Sequence, residues 1–147
     1  MQTIVSVNLE HIQSAMRSVQ AHANAFISSP LNDAGITGGY VIVAAKNGVV
    51  IMELLIGQPI ETMHTVRKEL EEALELLFAT GNGSTMEMCH PRLPEIGSII
   101  HGNSFTIGVH GFGHRLNDVF AIAAIEAVRE RNPEDISYLR ELSGTTI

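Results

Sequence analysis

The 147-residue sequence predicts an α+β fold, in which helices pack on the faces of a central, mostly antiparallel sheet of about five strands. Three observations support this class. Two pairs of apolar runs are each joined by a short turn of Asn and Gly, which is typical of β-hairpins. Apolar residues recur at helical spacing before, between and after these hairpins. The length and the 45% hydrophobic content fit a single domain over residues 1–147.

The first third of the chain predicts a helix followed by a hairpin. Asn8 is a favourable N-cap, and the apolar stripe behind it continues to about Ile27. Residues 40–45 and 49–56 are nearly continuous apolar runs. The Asn47-Gly48 pair between them supplies the backbone angles of a tight turn, so we expect two antiparallel strands.

The middle of the chain predicts a second helix and a second hairpin. Pro59 suits the first turn of a helix, where a missing amide proton costs little, and Gly81 ends that helix. On the solvent-exposed face of that helix, Arg67 and Glu71 are four residues apart, which is the spacing of an ion pair. Residues 85–89 form an optional short strand, and a hairpin follows over residues 96–110.

The last part of the chain predicts two helices, and the first of them is apolar on more than one side. Residues 119–125 are all apolar, so this helix is covered on more than one face. Both strands of the first hairpin are also apolar on both faces. We expect the second cover to be another copy of the chain, which makes the protein a homo-oligomer. Alternatively, the terminal helices of one chain do all the covering. Asn132-Pro133 begins the last helix and Gly144 ends it.

Composition excludes several classes of partner. Nine basic residues against 16 acidic ones give a formal charge of −7, and no basic run is present, so nucleic acid is not an expected partner. Cys89 is the single cysteine and cannot form an intramolecular disulfide. No basic and apolar leader precedes the domain, and no apolar stretch reaches the roughly 20 residues of a membrane span. We therefore expect a cytoplasmic protein with no membrane partner.

The order of elements and one motif resemble a known family. The motif runs from Ile107 to Gly111 and is followed by Asn117 and Ala121. Both features are similar to the GlcG/HbpS family of haem-binding or haem-degrading-protein-like domains, which also occur beside some cobalamin adenosyltransferases. The resemblance implies a profilin-like fold and a ligand that is haem, another tetrapyrrole or a small anion. His110 replaces the serine of the family pattern, and Asn117, with Asp118 beside it, stands where an acidic residue is expected.

The segment from His110 to His114 is the candidate ligand site. Free amides and the dipole at a helix entrance favour an anion, and Arg115 adds positive charge. Glycines in this segment let a ligand approach the backbone, although they could simply turn a strand into a helix. One turn apart on the preceding helix, His64 and Lys68 could face the same ligand. The predicted ligand-binding set is His64, Lys68, His110, Gly111, Gly113, His114, Arg115 and Asn117.

Metal-binding and catalytic patterns are weak in this sequence. The spacing of His110 and His114 resembles a zinc-binding helix, but glycines lie between them and the usual glutamate base is missing. Cys89 and His90 are adjacent, and adjacent residues in an extended chain point to opposite sides. No catalytic signature surrounds the cysteine. We therefore predict no metal site and no catalytic residue, and a lyase or hydrolase built on Cys89 ranks third among the functions.

Two functions of different classes stay open. The first is an oligomeric small-ligand-binding protein whose pocket lies between the sheet and a covering helix. The second is a protein-interaction platform of the Roadblock or longin kind, which uses its sheet edge or the helix over residues 119–125 to hold a partner. An open sheet edge without a cavity would favour the second function.

Overall fold

A computed structural model describes residues 9–59, 62–88 and 97–144 of the chain. These residues form four α-helices, four β-strands and one 3₁₀ turn, which confirms the predicted α+β class. In chain order they are α1 (Leu9–Ile27), β1 (Gly38–Ala45), β2 (Val50–Gly57), α2 (Met63–Thr80), the 3₁₀ turn (Thr85–Glu87), β3 (Ser98–His101), β4 (Phe105–His110), α3 (His114–Ala127) and α4 (Pro133–Ser143).

The four strands form one open antiparallel sheet in the order β2-β1-β4-β3. Both hairpins predicted from the sequence are present, and they join through β1 and β4, where Val41 lies opposite Val109. The strand expected over residues 85–89 is not seen in the described part of that segment. Ser84 makes one isolated bridge to Ile100, and the Thr85 hydroxyl then accepts the Ile99 N–H at 3.0 Å. This side-chain contact lies where a second backbone bridge would be needed to extend the strand pairing. Residues 85–88 therefore form no strand, and the described sheet has four strands.

Local capping explains where the helices begin and end. The N-cap prediction for Asn8 lies outside the described residues. Pro59 does not enter α2, because Thr62 caps that helix by accepting the Thr65 N–H at 3.3 Å. Gly81 ends α2 in the left-handed conformation, with a φ of 73°, as predicted. No helix among residues 9–59, 62–88 and 97–144 has both the length and the apolar character needed to cross a bilayer.

The final helix follows its sequence signals closely. The Asn132 side chain accepts the Asp135 N–H at 2.8 Å, and Pro133 occupies the first turn. Gly144 ends the helix with a φ of 72°. The α4 boundaries predicted from Asn132 and Gly144 are therefore confirmed.

The sheet separates two apolar clusters. On one face, α1, α3 and α4 pack over the sheet, and on the other α2 packs alone. Phe120, Ile122 and Ile125 of α3 are all buried against elements of their own chain. The expectation that a second subunit covers this helix is thereby corrected, because α1 and α4 already occupy its outer sides. Homo-oligomerisation itself stays a prediction that must rest on another surface.

Candidate functional site

His110 is the last residue of β4, and its imidazole is buried on the α2 side of the sheet. Its exposed fraction is 6%, and its strand partner is Tyr40, which belongs to the cluster under α2. Nε2 lies 2.9 Å from Oε2 of Glu69 on α2. Nδ1 is buried and has no hydrogen-bond partner within the described residues. A carboxylate thus orients this imidazole, and neither nitrogen is open to solvent.

Glu69 is the functional neighbour that sequence reasoning missed. It is 41 residues from His110, and only the fold brings the two together. The available signal was its place on α2, between Val66 and Leu70, which are both buried. An acidic residue at the border of an apolar stripe is a candidate partner for a buried base.

The two glycines of the candidate segment have different roles. Gly111 has a φ of 103°, and a Cβ built on it would lie 2.8 Å from Cα of Gly39. Two backbones therefore cross here with no space for a side chain or a ligand between them. Gly113 has a φ of 93° and caps α3, and a Cβ built there would meet nothing within 4 Å.

Asn117 and Asp118 stabilise the entrance of α3. The buried Asn117 side chain accepts the Phe112 N–H at 3.1 Å, while its own N–H donates to the Gly113 carbonyl at 2.9 Å. Asp118, also buried, accepts the Ser98 hydroxyl of β3. These two side chains hold the strand-to-helix turn together, and neither is among the residues that line the recess described below.

The other predicted ligand-binding residues do not meet around one point. Arg115 donates to the Gly144 carbonyl at 2.6 Å, at the end of α4, instead of facing the α3 entrance. His64 and Lys68 are exposed on α2. His114 is the first residue of α3, and its side chain lies outside the described part. Gly111 is the member of the predicted set that lines the recess described below, and a common ligand site for these residues stays a prediction.

A recess of about 200 Å³ lies beside Gly111, between the start of β1 and the first turns of α2. Its walls are backbone and small or aliphatic side chains, and it holds no charged group and no imidazole among the described residues. This volume is below the roughly 300 Å³ of ordinary small-molecule pockets. The lining residues are Ala34, Gly35, Ile36, Thr37, Gly38, Pro59, Val66 and Gly111.

Metal-binding chemistry finds no support in the described ranges. No group of three His, Cys, Asp or Glu side chains is close enough there to hold an ion. Cys89 and His90, considered from the sequence as ligands or as a nucleophile and its base, lie outside the described residues.

The second candidate site is the outer side of β2 and α2, which we call the β2–α2 flank. Among the described residues, eight large apolar side chains are exposed, and four belong to this flank: Val49 (61%), Leu55 (47%), Met63 (40%) and Phe78 (42%). An ion pair between Glu53 of β2 and Arg67 of α2 spans its middle. Strand and helix periodicity then place Leu55 and Met63 at one end of the flank, and Val49 and Phe78 at the other.

At the second of these ends, the flank contains an apolar groove. Val50, Leu74 and Phe78 line it together with the carboxylate-bearing Glu71 and Glu75. Arg67 pairs with Glu53 across the layers, so the predicted pairing of Arg67 with Glu71 along α2 is replaced by a contact to the sheet. No protein-family model, curated protein or solved structure matches this chain. The function of this chain must therefore be inferred from its own geometry, beginning with the recess and the flank.

Proposed function

We propose that this chain is a protein-interaction module that associates with a second copy of itself through the β2–α2 flank. The observation that carries the proposal is the exposure of Val49, Leu55, Met63 and Phe78 beside β2, which has a strand neighbour on one side only among the described residues. Exposed apolar side chains beside a strand edge favour strand pairing between chains.

The edge strand lacks most of the features that prevent edge pairing. β2 contains neither proline nor lysine, which commonly block an exposed edge. Its irregularity lies opposite the step from Val43 to Ala44, close to the hairpin turn. From Met52 to Gly57 the pairing with β1 is regular, so that stretch presents an even row of backbone donors and acceptors on its outer edge.

A second copy is the partner that fits this edge. Two antiparallel β2 strands related by a two-fold axis offer each other the same donors, acceptors and apolar side chains. Glu53 is the one charged side chain within β2, and Arg67 pairs with it within each copy. Burying the exposed halves of Leu55 and Met63 would contribute about 1 kcal/mol for each side chain.

The test is the oligomeric state of a matched pair of variants. Light scattering over a range of concentrations should give a dimeric mass for the wild type and a monomeric mass for Leu55→Lys. Leu142→Lys makes the same chemical change at an exposed leucine of α4, 42% exposed, and should leave the dimer intact. A wild type that is monomeric at all concentrations would overturn the proposal. A dimer that survives Leu55→Lys would exclude this flank as its interface.

The recess beside Gly111 favours a second candidate function, the binding of a small ligand. Haem or a small anion are the ligands that the GlcG/HbpS resemblance and its profilin-like fold imply. Because Glu69 engages Nε2 of His110, axial ligation of haem through that nitrogen would require the contact to break, whereas the buried Nδ1 has no partner within the described residues. A haem titration followed by absorbance tests it. A Soret shift that is lost in His110→Ala supports ligation, and identical spectra for both proteins exclude it.

A further inference from the structure

A cleft of about 600 Å³ separates the β3–β4 turn from the connection between α3 and α4. Its lining includes two arginines, Arg129 and Arg131, two side-chain amides, from Asn103 and Asn132, and the carboxylate of Glu126. Guanidinium and amide groups are the donors that proteins direct at phosphate and carboxylate oxygens. This cleft lies at a different part of the molecule from the β2–α2 flank and from the recess beside Gly111.

The backbone of Arg129 is in an unusual conformation. With a φ of 55°, it is the one residue other than glycine with a positive φ in the described ranges. The Glu130 N–H donates to the Ile125 carbonyl and the Arg129 N–H to the Glu126 carbonyl, both at 3.1 Å. This is the pattern of a helix end at which glycine is usual, because a side chain is strained there. An arginine at this position therefore costs stability.

The guanidinium of Arg129 has no partner within the described part of the chain. The nearby carboxylates are already engaged. Glu130 accepts both the Ser104 N–H, at 2.7 Å, and the Ser104 hydroxyl, at 2.6 Å. Glu126 accepts two hydrogen bonds from Arg140, at 2.6 and 3.0 Å. Arg129 is thus an exposed cation at the cleft, in a protein with an excess of acidic residues.

Two backbone carbonyls hold the guanidinium group of Arg131 in place. Its Nε donates to the His101 carbonyl and its Nη2 to the Gly83 carbonyl, both at 2.8 Å. Lys46 also donates to the β3–β4 turn, at the Gly102 carbonyl. Burial together with the charges of Lys46 and Arg131 lowers the pKa of His101. Lys46 and Arg131 therefore bring positive charge to this end of the molecule, and Glu134 and Asp135 in the first turn of α4 bring negative charge.

We propose that this cleft binds the phosphate or carboxylate group of a small anionic ligand. Arg129 and Nη1 of Arg131, which has no hydrogen-bond partner among the described residues, donate to the anion from one side. Asn132 already accepts the Asp135 N–H through Oδ1, so its amino group remains to donate from the other. The N-terminal turn of α4, which Pro133 brings to the cleft, adds the favourable end of a helix dipole.

Two probes and three variants test this site. Titration calorimetry with inorganic phosphate and with citrate shows which anion class binds, and the side-chain amide signals of Asn103 and Asn132 in NMR spectra report where. Arg129→Gly should weaken binding about tenfold, the effect expected for a lost charged hydrogen bond. Its melting temperature should rise, because glycine suits a positive φ. Arg129→Ala removes the same charge but keeps a side chain at the positive φ, so the backbone strain remains. It should weaken binding equally.

Arg17→Ala is the matched control, since it removes one exposed positive charge from α1. It should leave anion binding unchanged. A wild type that shows no saturable binding of either probe in the millimolar range would overturn the proposal. Binding to Arg129→Gly as tight as to the wild type would also overturn it, and the raised melting temperature would show that this variant is folded.

Discussion

The α3 helix and the β2 strand are equally apolar in sequence, yet the fold treats them differently. Ile125 of α3 is completely buried, while Leu55 of β2 is 47% exposed. α3 packs beside α1 on one face of the sheet, against β3 and β4, whereas β2 forms an edge of the sheet and has a strand neighbour on one side only among the described residues. An apolar run therefore indicates that a segment is covered, but its place in the layers decides whether its own chain provides the cover.

The largest expected effect comes from truncating a buried side chain of α3. Ile125→Ala should lower the free energy of unfolding by about 4 kcal/mol, because it leaves a cavity among α1, α3 and the sheet. Leu55→Ala is the matched change on the open flank, and should cost about 0.5 kcal/mol in the monomer. Urea unfolding at low protein concentration measures both. Similar losses of unfolding free energy for the two variants would contradict the distinction between the buried α3 helix and the exposed β2 strand.

The backbone crossing between Gly39 and Gly111 gives the next largest effect. Gly111→Ala should cost about 3 kcal/mol, since it adds a clash 2.8 Å from Cα of Gly39 to a strained φ of 103°. Gly113→Ala has a similar φ, of 93°, but open space around it. It should cost only about 1 kcal/mol, the backbone term alone. Equal losses of melting temperature for these two variants would contradict the close crossing.

Glu130 should give an intermediate effect that depends on pH. Its burial works to raise its pKa, but hydrogen bonds from Ser104 and His11 outweigh that and hold the pKa below the ordinary 4.5. Because the folded pKa is lowered, the carboxylate stabilises the fold above the unfolded pKa, and this stabilisation is lost as the pH falls through the folded value. Glu130→Gln should cost about 2 kcal/mol at neutral pH.

Unfolding measured from pH 7 down to acid provides the check on Glu130. The difference in unfolding free energy between wild type and Glu130→Gln should shrink once the pH falls below about 4.5. Ser104→Ala removes one donor to the same carboxylate and should narrow the difference in the same direction. A difference that stays constant with pH would show that the charge of Glu130 is not involved.

The smallest expected effect concerns the exposed ion pair between α3 and α4. A hydrogen bond from Arg140 lowers the pKa of Glu126, but both side chains are well exposed to solvent. Arg140→Ala should therefore cost only about 0.5 kcal/mol, and less in high salt. Thermal unfolding at low and high ionic strength measures this. A loss as large as that of Ile125→Ala would mean that α4 depends on this pair more than on its buried Ile136 and Leu139.

Local signals in the sequence predicted most of the elements, and long-range contacts account for what they missed. The Asn47-Gly48 hairpin, the Asn132 cap and the glycine ends of α2 and α4 each depend on residues within one or two turns of chain. The pairs of His110 with Glu69 and of Arg67 with Glu53 join residues that are 41 and 14 apart. Spacing along α2 suggested Glu71 as the ion-pair partner of Arg67. Sequence periodicity identifies neighbours within one helix or strand, but it does not identify contacts between elements.

The same limit applied to the candidate site. Glycines and histidines between residues 110 and 114 predicted a place where a ligand could approach, which stays a prediction, and the fold adds two contacts that the sequence did not show, of Gly111 with Gly39 and of His110 with Glu69. The positive φ of Arg129 had no sequence signal, since the residue found there is not the glycine that helix ends favour.

The pairing of β1 with β4 also bears on how the chain acquires its structure during synthesis. Ala45 pairs with Phe105, which lies sixty positions further along the chain, and β1 is buried along its whole length in the finished protein. A nascent chain leaving the ribosome must therefore carry β1 with one unprotected edge until β4 emerges. Chaperones that shield extended apolar segments would be most useful during that interval.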